Sequence, residues 1–304
     1  MKKQSLILIT GPTASGKSAL SVSLAKKLNT EIINADSRQI YKGIPIVTAT
    51  PSIEEREGVT HHLLEFLPLQ DYYSAAKFRE DSLKILDDLF SRNDTAIICG
   101  GSMLYTDALI YGLDNLPTVP DEIRNDLTLK WSQKGDHWLI DYLKLLDPTY
   151  YFKVDLKNLK RVFHAVEISI TAGKPYSELL SGRNNTAQLP FNVYKFFLNG
   201  DRTALFDRIN RRVLEMVDKG LVQEAEKVWP LKHLNSLNTV GLKEMFQYFE
   251  GEFLFEEAIA RIQKNTRVYA KKQITWHKRD DSIIELNFAD SGSSNIDKIL
   301  RKLL

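Results

Sequence analysis

Residues 5–18 read SLILITGPTASGKS. The first six form a short apolar run of the kind that makes a buried strand. The next eight, Gly11-Pro12-Thr13-Ala14-Ser15-Gly16-Lys17-Ser18, match the spacing G-x-x-x-x-G-K-[ST]. In that pattern the glycines let backbone N–H groups turn inward around phosphate oxygens. Lys17 adds a point charge, Ser18 can hold Mg²⁺, and the N-terminus of the following helix adds a favourable dipole. Residues 19–28 continue as that helix, with Leu20, Leu24 and Leu28 on one face. Strand, loop and helix are the context the motif requires. They predict an α/β protein with a P-loop NTPase-like parallel sheet and a phosphorylated ligand. A nucleotide such as ATP is the usual ligand of this loop, but the loop alone does not name it.

Outward from this stretch, residues 31–35 read as a second strand ending at Asp36. Residues 74–92 read as an amphipathic helix with Ser74 as its N-cap. Residues 95–99 read as a third strand, closed by Gly100-Gly101. Strands alternating with helices predict a parallel sheet covered on both faces. The pattern then changes. From 112 to 190 there is no strand signal, and helical periodicity dominates over 121–133, 138–146 and 159–171. This predicts an inserted all-helical domain over 112–190, leaving 1–111 and 191–304 as the P-loop core. The insertion leaves through the polar stretch 181–188 (SGRNNTAQ), and 192–198 (NVYKFFL) returns to strand character. Asp201 then caps a helix with Leu205, Ile209, Val213 and Met216 on its apolar face, and a long helix covers about 256–277.

The 304 residues are 43% hydrophobic and 26% charged, enough to build a sizeable core. A formal net charge of +2 names no partner, so the clustering of basic residues matters more. Cys99 is the single cysteine, which excludes an intramolecular disulfide and fits a reducing compartment. The apolar run after Met1-Lys2-Lys3-Gln4 is too short for a signal peptide, and no run approaches the roughly 18 apolar residues of a membrane helix. A cytoplasmic protein with no membrane partner is expected, acting as a monomer.

P-loop enzymes that handle nucleoside triphosphates need an acidic residue at the end of a core strand to help hold Mg²⁺. The 95–99 strand ends in two glycines, and Asp36 is the carboxylate that ends a strand near the loop. Small-molecule kinases carry a short arginine-bearing lid, whereas 112–190 is long enough to be a domain. Both features weigh against a kinase.

A larger set of motifs resembles the tRNA dimethylallyltransferase family, also called tRNA isopentenyltransferases or IPP transferases. It comprises the P-loop, Asp36-Ser37-Arg38-Gln39-Ile40-Tyr41-Lys42-Gly43, His61-His62-Leu63, Gly100-Gly101-Ser102-Met103-Leu104-Tyr105, Gly173-Lys174-Pro175, and residues 266–276 (TRVYAKKQITW). The motifs run in family order over nearly the whole chain. The resemblance implies a P-loop core, a helical tRNA-binding insertion, Mg²⁺ dependence, and transfer of the dimethylallyl group of dimethylallyl diphosphate to N6 of adenosine 37, just 3′ of the anticodon. Three positions depart from the family pattern: Ser102 stands for a usual threonine, Thr50 for a lysine and His164 for an arginine.

Such a transfer needs an anion cradle for the diphosphate, a base near the amine and an apolar slot for the prenyl tail. The P-loop, Lys17 and Mg²⁺ would supply the first. Asp36 is the candidate base, because the amine proton becomes acidic once nitrogen bonds carbon. The alternative for Asp36 is a strand-end Mg²⁺ ligand. The family pattern R-x-x-x-R-x-x-x-M falls on Arg208, Arg212 and Met216, which makes Arg212 the candidate diphosphate clamp. Arg208 is either a second contact or part of a solvated face, and Arg202 and Arg211 read as solvated. Ser37, Arg38 and Gln39 follow the base, where the edge of a flipped adenine would be read.

Residues 258–279 hold seven Lys or Arg and no Asp or Glu, with Tyr269, Trp276 and His277 interleaved. This is a candidate tRNA footprint that includes Lys271 and Lys272. The resemblance adds Ser102, Arg124, Lys160 and Arg161 as tRNA contacts. His61 and His62 read as structural, since adjacent histidines seldom reach one metal ion. The competing functions are a prenyltransferase acting on free AMP, ADP or ATP, the kinase, and a non-catalytic RNA-binding protein. The helical insertion and basic segment weigh against the first, and a P-loop with Asp36 against the last.

Overall fold

The computed structural model describes residues 4–180 and 189–303. The polar stretch 181–188 lies outside them. The chain forms two compact units, one of residues Met1–Ile110 with Gln188–Leu304, the other Tyr111–Ala187. The second unit thus begins one residue before the expected insertion and ends three residues before its expected close.

The first unit is built on a six-stranded sheet: β1 (Ser5–Thr10), β2 (Ile32–Asn34), β3 (His61–His62), β4 (Thr95–Cys99), β5 (Asn192–Asn199) and β6 (Ile284–Asn287), in the order β3-β2-β4-β1-β5-β6. Every pairing is parallel. β1 is buried along its whole length, which is why it reads as a continuous apolar run rather than an alternating one. It pairs with β4 in the register Ser5↔Thr95 and with β5 in the register Ser5↔Asn192. The sheet therefore closes only when the chain returns after the insertion. One core cluster joins Ile7 and Ile9 of β1 to Leu20 and Leu24 of the helix Lys17–Leu28, to Phe196 of β5, and to Ile296 and Ile299 near the C-terminus.

Because the strands run one way, the loops after β1, β2 and β4 leave the same edge of the sheet. They are held at close quarters. Ala35 N–H donates to Cys99 O at 2.8 Å and Ser102 N–H to Ala35 O at 3.1 Å. A Cβ on Gly100 would lie 2.1 Å from Ala35 O, so the two backbones touch where only glycine fits.

The helices Ala75–Arg92, Arg202–Asp218 and Phe255–His277 form as their periodicity predicts, within a residue or two. Ser74 accepts from Lys77 N–H and Asp201 from Ala204 N–H, so both expected caps are made. The second strand is shorter than expected, three residues rather than five.

In the second unit all described elements are helical. The expected helices 121–133 and 138–146 are one run, Asp121–Leu146, broken at Gly135 with φ 79° and ψ 179°. Trp131 Nε1–H donates to Asp136 across the break at 2.8 Å. The core packs Leu127, Leu139 and Leu143 of this run against Val162, Ala165 and Val166 of the helix Leu159–Ala172.

Candidate active site

The P-loop follows β1 and bends where its sequence allows. Gly16 has φ 94° and Ala14 φ 64°, and the helix Lys17–Leu28 starts directly after Gly16. Gly11 has no room for a side chain, because a Cβ there would lie 2.6 Å from Leu198 O of β5 and 2.8 Å from Ser15 Oγ. Lys17 Nζ reaches Pro12 O at 3.4 Å. Burial holds Lys17 below the usual lysine range. The Arg212 cation pushes the same way, while Cys99 and Asp36 oppose it. The ammonium thus sits half-buried at the loop, where an arriving anion would gain more than in open water.

Asp36 follows β2. Its Oδ1 accepts from Arg38 N–H at 2.9 Å and Gln39 N–H at 3.4 Å. These local bonds fix the carboxylate and leave Oδ2 with no partner among the described residues. Ser102, buried, accepts from Ser37 N–H at 2.7 Å and donates to Ser37 Oγ at 3.0 Å. The hydroxyl that replaces the family's threonine therefore buttresses the Asp36 loop from behind.

The helix Arg202–Asp218 turns two arginines toward the P-loop. Arg212 Nη1 donates to Thr13 Oγ1 at 3.0 Å, and Arg208 Nη1 reaches Ser15 O at 3.4 Å with its guanidinium over the Phe288 ring. Arg208 is thus packed on the loop, not part of a solvated face. Arg202 and Arg211 are exposed, as expected. Burial lowers the pKa of Arg212, opposed chiefly by Asp36.

One cavity of about 340 Å³ joins these parts. Thr13 and Ala14 of the 11–18 loop line it with Arg212, and Asp36, Ser37, Arg38 and Tyr269 line it as well. Its apolar walls include Val47, Ile209, Val213 and Met216. The glycine loop, a carboxylate and an apolar wall therefore share one space within the first unit.

Sequence reasoning missed the role of Gln273. This residue is 1% exposed. Its Oε1 accepts from Thr13 N–H at 2.9 Å and its Nε2 donates to Gly101 O at 2.9 Å, so it ties the P-loop to the loop after β4. It stands inside the 266–276 motif, whose neighbouring lysines drew attention to RNA instead.

Other candidates are placed differently from one another. Arg38 lines the cavity, but its Nη1 donates to Asn235 O at 2.8 Å and Ser236 O at 3.0 Å. Gln39 Nε2 donates to Thr48 O and Ala49 O, so its amide N–H groups are engaged within the fold. Thr50 bonds Thr48 through their hydroxyls at 2.8 Å. Lys271 and Lys272 are exposed, with Lys271 over the Phe206 ring. Of the interleaved aromatics only Tyr269 reaches the cavity. Trp276 Nε1–H donates to Asp107 at 3.0 Å, and His277 stacks on Phe197. Not all seven basic residues are available either: Arg261 pairs with Glu257 and Arg267 bonds Asn210.

In the second unit Lys160 and Arg161 are exposed at the start of their helix. Arg124 makes a two-pronged bond to the buried Glu167, at 2.9 and 3.3 Å, and His164 reaches the same carboxylate at 3.0 Å. His61 and His62 are structural, bonded to Val59 O and Glu31. Among the described residues no cluster of three or more His, Cys, Asp or Glu could hold a metal, and no helix is long and apolar enough to cross a membrane.

Comparison with known proteins agrees with the motif resemblance. The model of the family described as IPP transferase matches residues 39–280. A tRNA dimethylallyltransferase 1 of Phocaeicola vulgatus is 47% identical over 279 residues, covering 92% of each chain. A tRNA dimethylallyltransferase 2 of Azobacteroides pseudotrichonymphae is 45% identical over 280 residues, covering 92% of this chain and 91% of its own. Among solved structures, the tRNA isopentenylpyrophosphate transferase of Bacillus halodurans superposes with a TM-score of 0.73 at 32% identity, over 99% of this chain and 96% of that one. A eukaryotic dimethylallyltransferase acting on tRNA superposes with a TM-score of 0.83 at 26% identity, over 98% of this chain and 77% of that one. The chain belongs to the IPP transferase family of tRNA dimethylallyltransferases, and it is a prenyl-transferring enzyme.

Proposed function

We propose that this protein transfers the dimethylallyl group of dimethylallyl diphosphate to N6 of adenosine 37 in the anticodon stem-loop of tRNA, with diphosphate as the second product. The observation that carries this reading is the single cavity in which Asp36 stands with Thr13, Arg212 and apolar walls. The N6–C1 bond forms as the C1–O bond to diphosphate breaks, and the proton lost by N6 passes to the Asp36 carboxylate. The exocyclic amine is a weak nucleophile, so most of the rate comes from stabilising the leaving group. Lys17 and Arg212 do this in a desolvated site, where charge acts strongly. The apolar walls hold the tail and keep water from the allylic carbon.

The donor set fits Mg²⁺ bound jointly by protein and substrate. Ser18 stands at the helix start next to Lys17, and Mg²⁺ is commonly held by one or two side chains plus phosphate oxygens, so Ser18 and the diphosphate would hold it together. When bound, the ion would neutralise the charge that grows on diphosphate.

Recognition of tRNA divides between phosphates and base. Exposed Lys271, Lys272, Lys160 and Arg161, with Arg124, would meet the backbone, while Ser37 and Arg38 lie beside Asp36 where the flipped base would enter. Thr13, Asp36 and Arg212 all stand in the first unit, which supports a site built by one chain and a monomeric enzyme.

Incubation with radiolabelled dimethylallyl diphosphate, Mg²⁺ and either tRNA or AMP, without ATP, tests the reading. Label should enter tRNA. Label in AMP alone would identify an adenylate prenyltransferase, and a strict ATP requirement with γ-phosphate transfer would identify a kinase.

A further inference from the structure

The one-turn helix Pro45–Thr48 supplies Val47 and Thr48 to the cavity wall. Its N-cap, Ile44, makes no side-chain bond, and a single turn is too short to stabilise itself. Besides its own turn bonds, two residues outside it hold it. Glu224, buried on the helix Leu221–Val228, accepts from Ile46 N–H at 2.9 Å and from Val47 N–H at 2.8 Å, one oxygen to each. At the other end Gln39 Nε2 donates to Thr48 O at 3.1 Å and Ala49 O at 3.0 Å. An anion thus faces the amides and a donor faces the carbonyls, the arrangement a helix dipole favours.

This latch seats the Val47 side chain in the cavity wall against Gly241. A Cβ on Gly241 would lie 2.3 Å from Val47 Cγ2, and Gly241 has φ +102°, a conformation only glycine adopts readily. The facing apolar residues Ile209, Val213 and Met216 stand on the 17-residue helix Arg202–Asp218, placed by its buried face. Val47 is therefore the piece of wall that can change without displacing the P-loop or Asp36.

We propose that Val47 restricts the prenyl donor to a five-carbon tail, and that Glu224 is the positioning residue that holds it in place. The inference rests on the cavity being the dimethylallyl diphosphate site. Longer allylic diphosphates carry the same reacting carbon and leaving group, so the phosphate end gives no discrimination. Rejection has to come from the wall that meets the tail. A methylene more or less in an apolar pocket is worth about 10–200-fold in selectivity, so the two methyl groups of one valine can set the limit.

The full-length enzyme with saturating tRNA would be assayed with dimethylallyl and geranyl diphosphates, separately and in competition. The wild type should prefer the five-carbon donor. Val47→Ala should raise the ratio of geranyl to dimethylallyl kcat/KM by about ten-fold or more. Val47→Phe should raise KM for dimethylallyl diphosphate. Glu224→Gln can accept only one of the two N–H groups and should move the ratio in the direction of Val47→Ala, through KM rather than kcat. An unchanged geranyl-to-dimethylallyl ratio in Val47→Ala overturns the assignment and leaves the proposed reaction standing. Equal losses for both donors in Glu224→Gln overturn the positioning role. Absence of any dimethylallyl transfer to tRNA by the wild type removes the reading and the inference together.

Discussion

Replacing Gln273 by leucine should damage both stability and donor binding. The side chain is 1% exposed and makes two bonds of 2.9 Å, from Thr13 N–H and to Gly101 O. Leucine occupies similar space and satisfies neither group. A buried polar group left unpaired loses about 1–3 kcal/mol. Thr13 lines an open cavity and can recover a bond to water, and Gly101 O keeps the Tyr269 hydroxyl at 3.5 Å. The two losses should therefore sum toward the low end, about 2–3 kcal/mol. For a unit of this size that corresponds to a fall in Tm of roughly 4–12 °C. The functional consequence is separate, since Thr13 also receives the Arg212 hydrogen bond. Loss of its backbone anchor should loosen the clamp and raise KM for dimethylallyl diphosphate more than KM for tRNA. Urea unfolding gives the first quantity and initial rates with each substrate varied give the second. A variant with wild-type midpoint and wild-type donor KM would refute the idea that this bridge sets the P-loop.

Asp36→Asn preserves an oxygen for the Arg38 and Gln39 amides but removes the proton acceptor, so single-turnover transfer should nearly vanish while diphosphate still binds. Wild-type single-turnover rates would remove Asp36 from the base role. Lys271→Ala with Lys272→Ala should weaken tRNA binding and flatten its salt dependence by roughly 0.7–0.9 for each phosphate no longer neutralised, leaving donor KM as it was. A wild-type salt slope, measured by titration at several ionic strengths, would make these lysines an ordinary solvated face. Burial pushes His277 down to about 4 from 6.5, against the opposing pull of Asp280. The unfolded chain therefore binds the extra proton first as pH falls. Stability should be full above about pH 6.5 and decline toward pH 4, with His277 contributing roughly 3 kcal/mol at most. His277→Phe should flatten that slope in chemical denaturation across pH 4–7, and an unchanged slope would place the effect elsewhere.

The central strands β1 and β4 were legible because burial on both faces writes them as apolar runs, and β5 was legible from its aromatic and β-branched residues. The flanking β3 and β6, of two and four residues, are too short to carry a period and are set by pairing with a neighbour already in place. Gly135 hid a bend that two separate helical patterns implied but did not join. At the candidate site, the 11–18 loop, Asp36 and Arg212 stand in motifs of fixed spacing, and the structure brings Thr13, Ala14, Asp36 and Arg212 to one cavity. The bonds that Gln273, Ser102 and Glu224 make were not legible, because each acts through a partner far away in sequence. A lone buried amide, hydroxyl or carboxylate looks in sequence like any surface polar residue. Gln39 shows the reverse case: its place beside Asp36 suggested a contact to the adenine, and the structure adds bonds from its amide to the backbone of the next helix.

The pairing of β1 with both β4 and β5 also bears on how the chain assembles as it leaves the ribosome. Ser5 meets Thr95 early, but its other neighbour, Asn192, is made only after the entire second unit has been synthesised. Pairings this distant along the chain close slowly, and domains emerging from synthesis tend to fold as units. The helical insertion, whose core draws on residues between Leu127 and Val166, can complete its packing while one long edge of β1 still waits unpaired. During that interval β1, six buried residues in the finished protein, presents an open apolar edge, the stage at which a nascent chain is most exposed to aggregation and to chaperones.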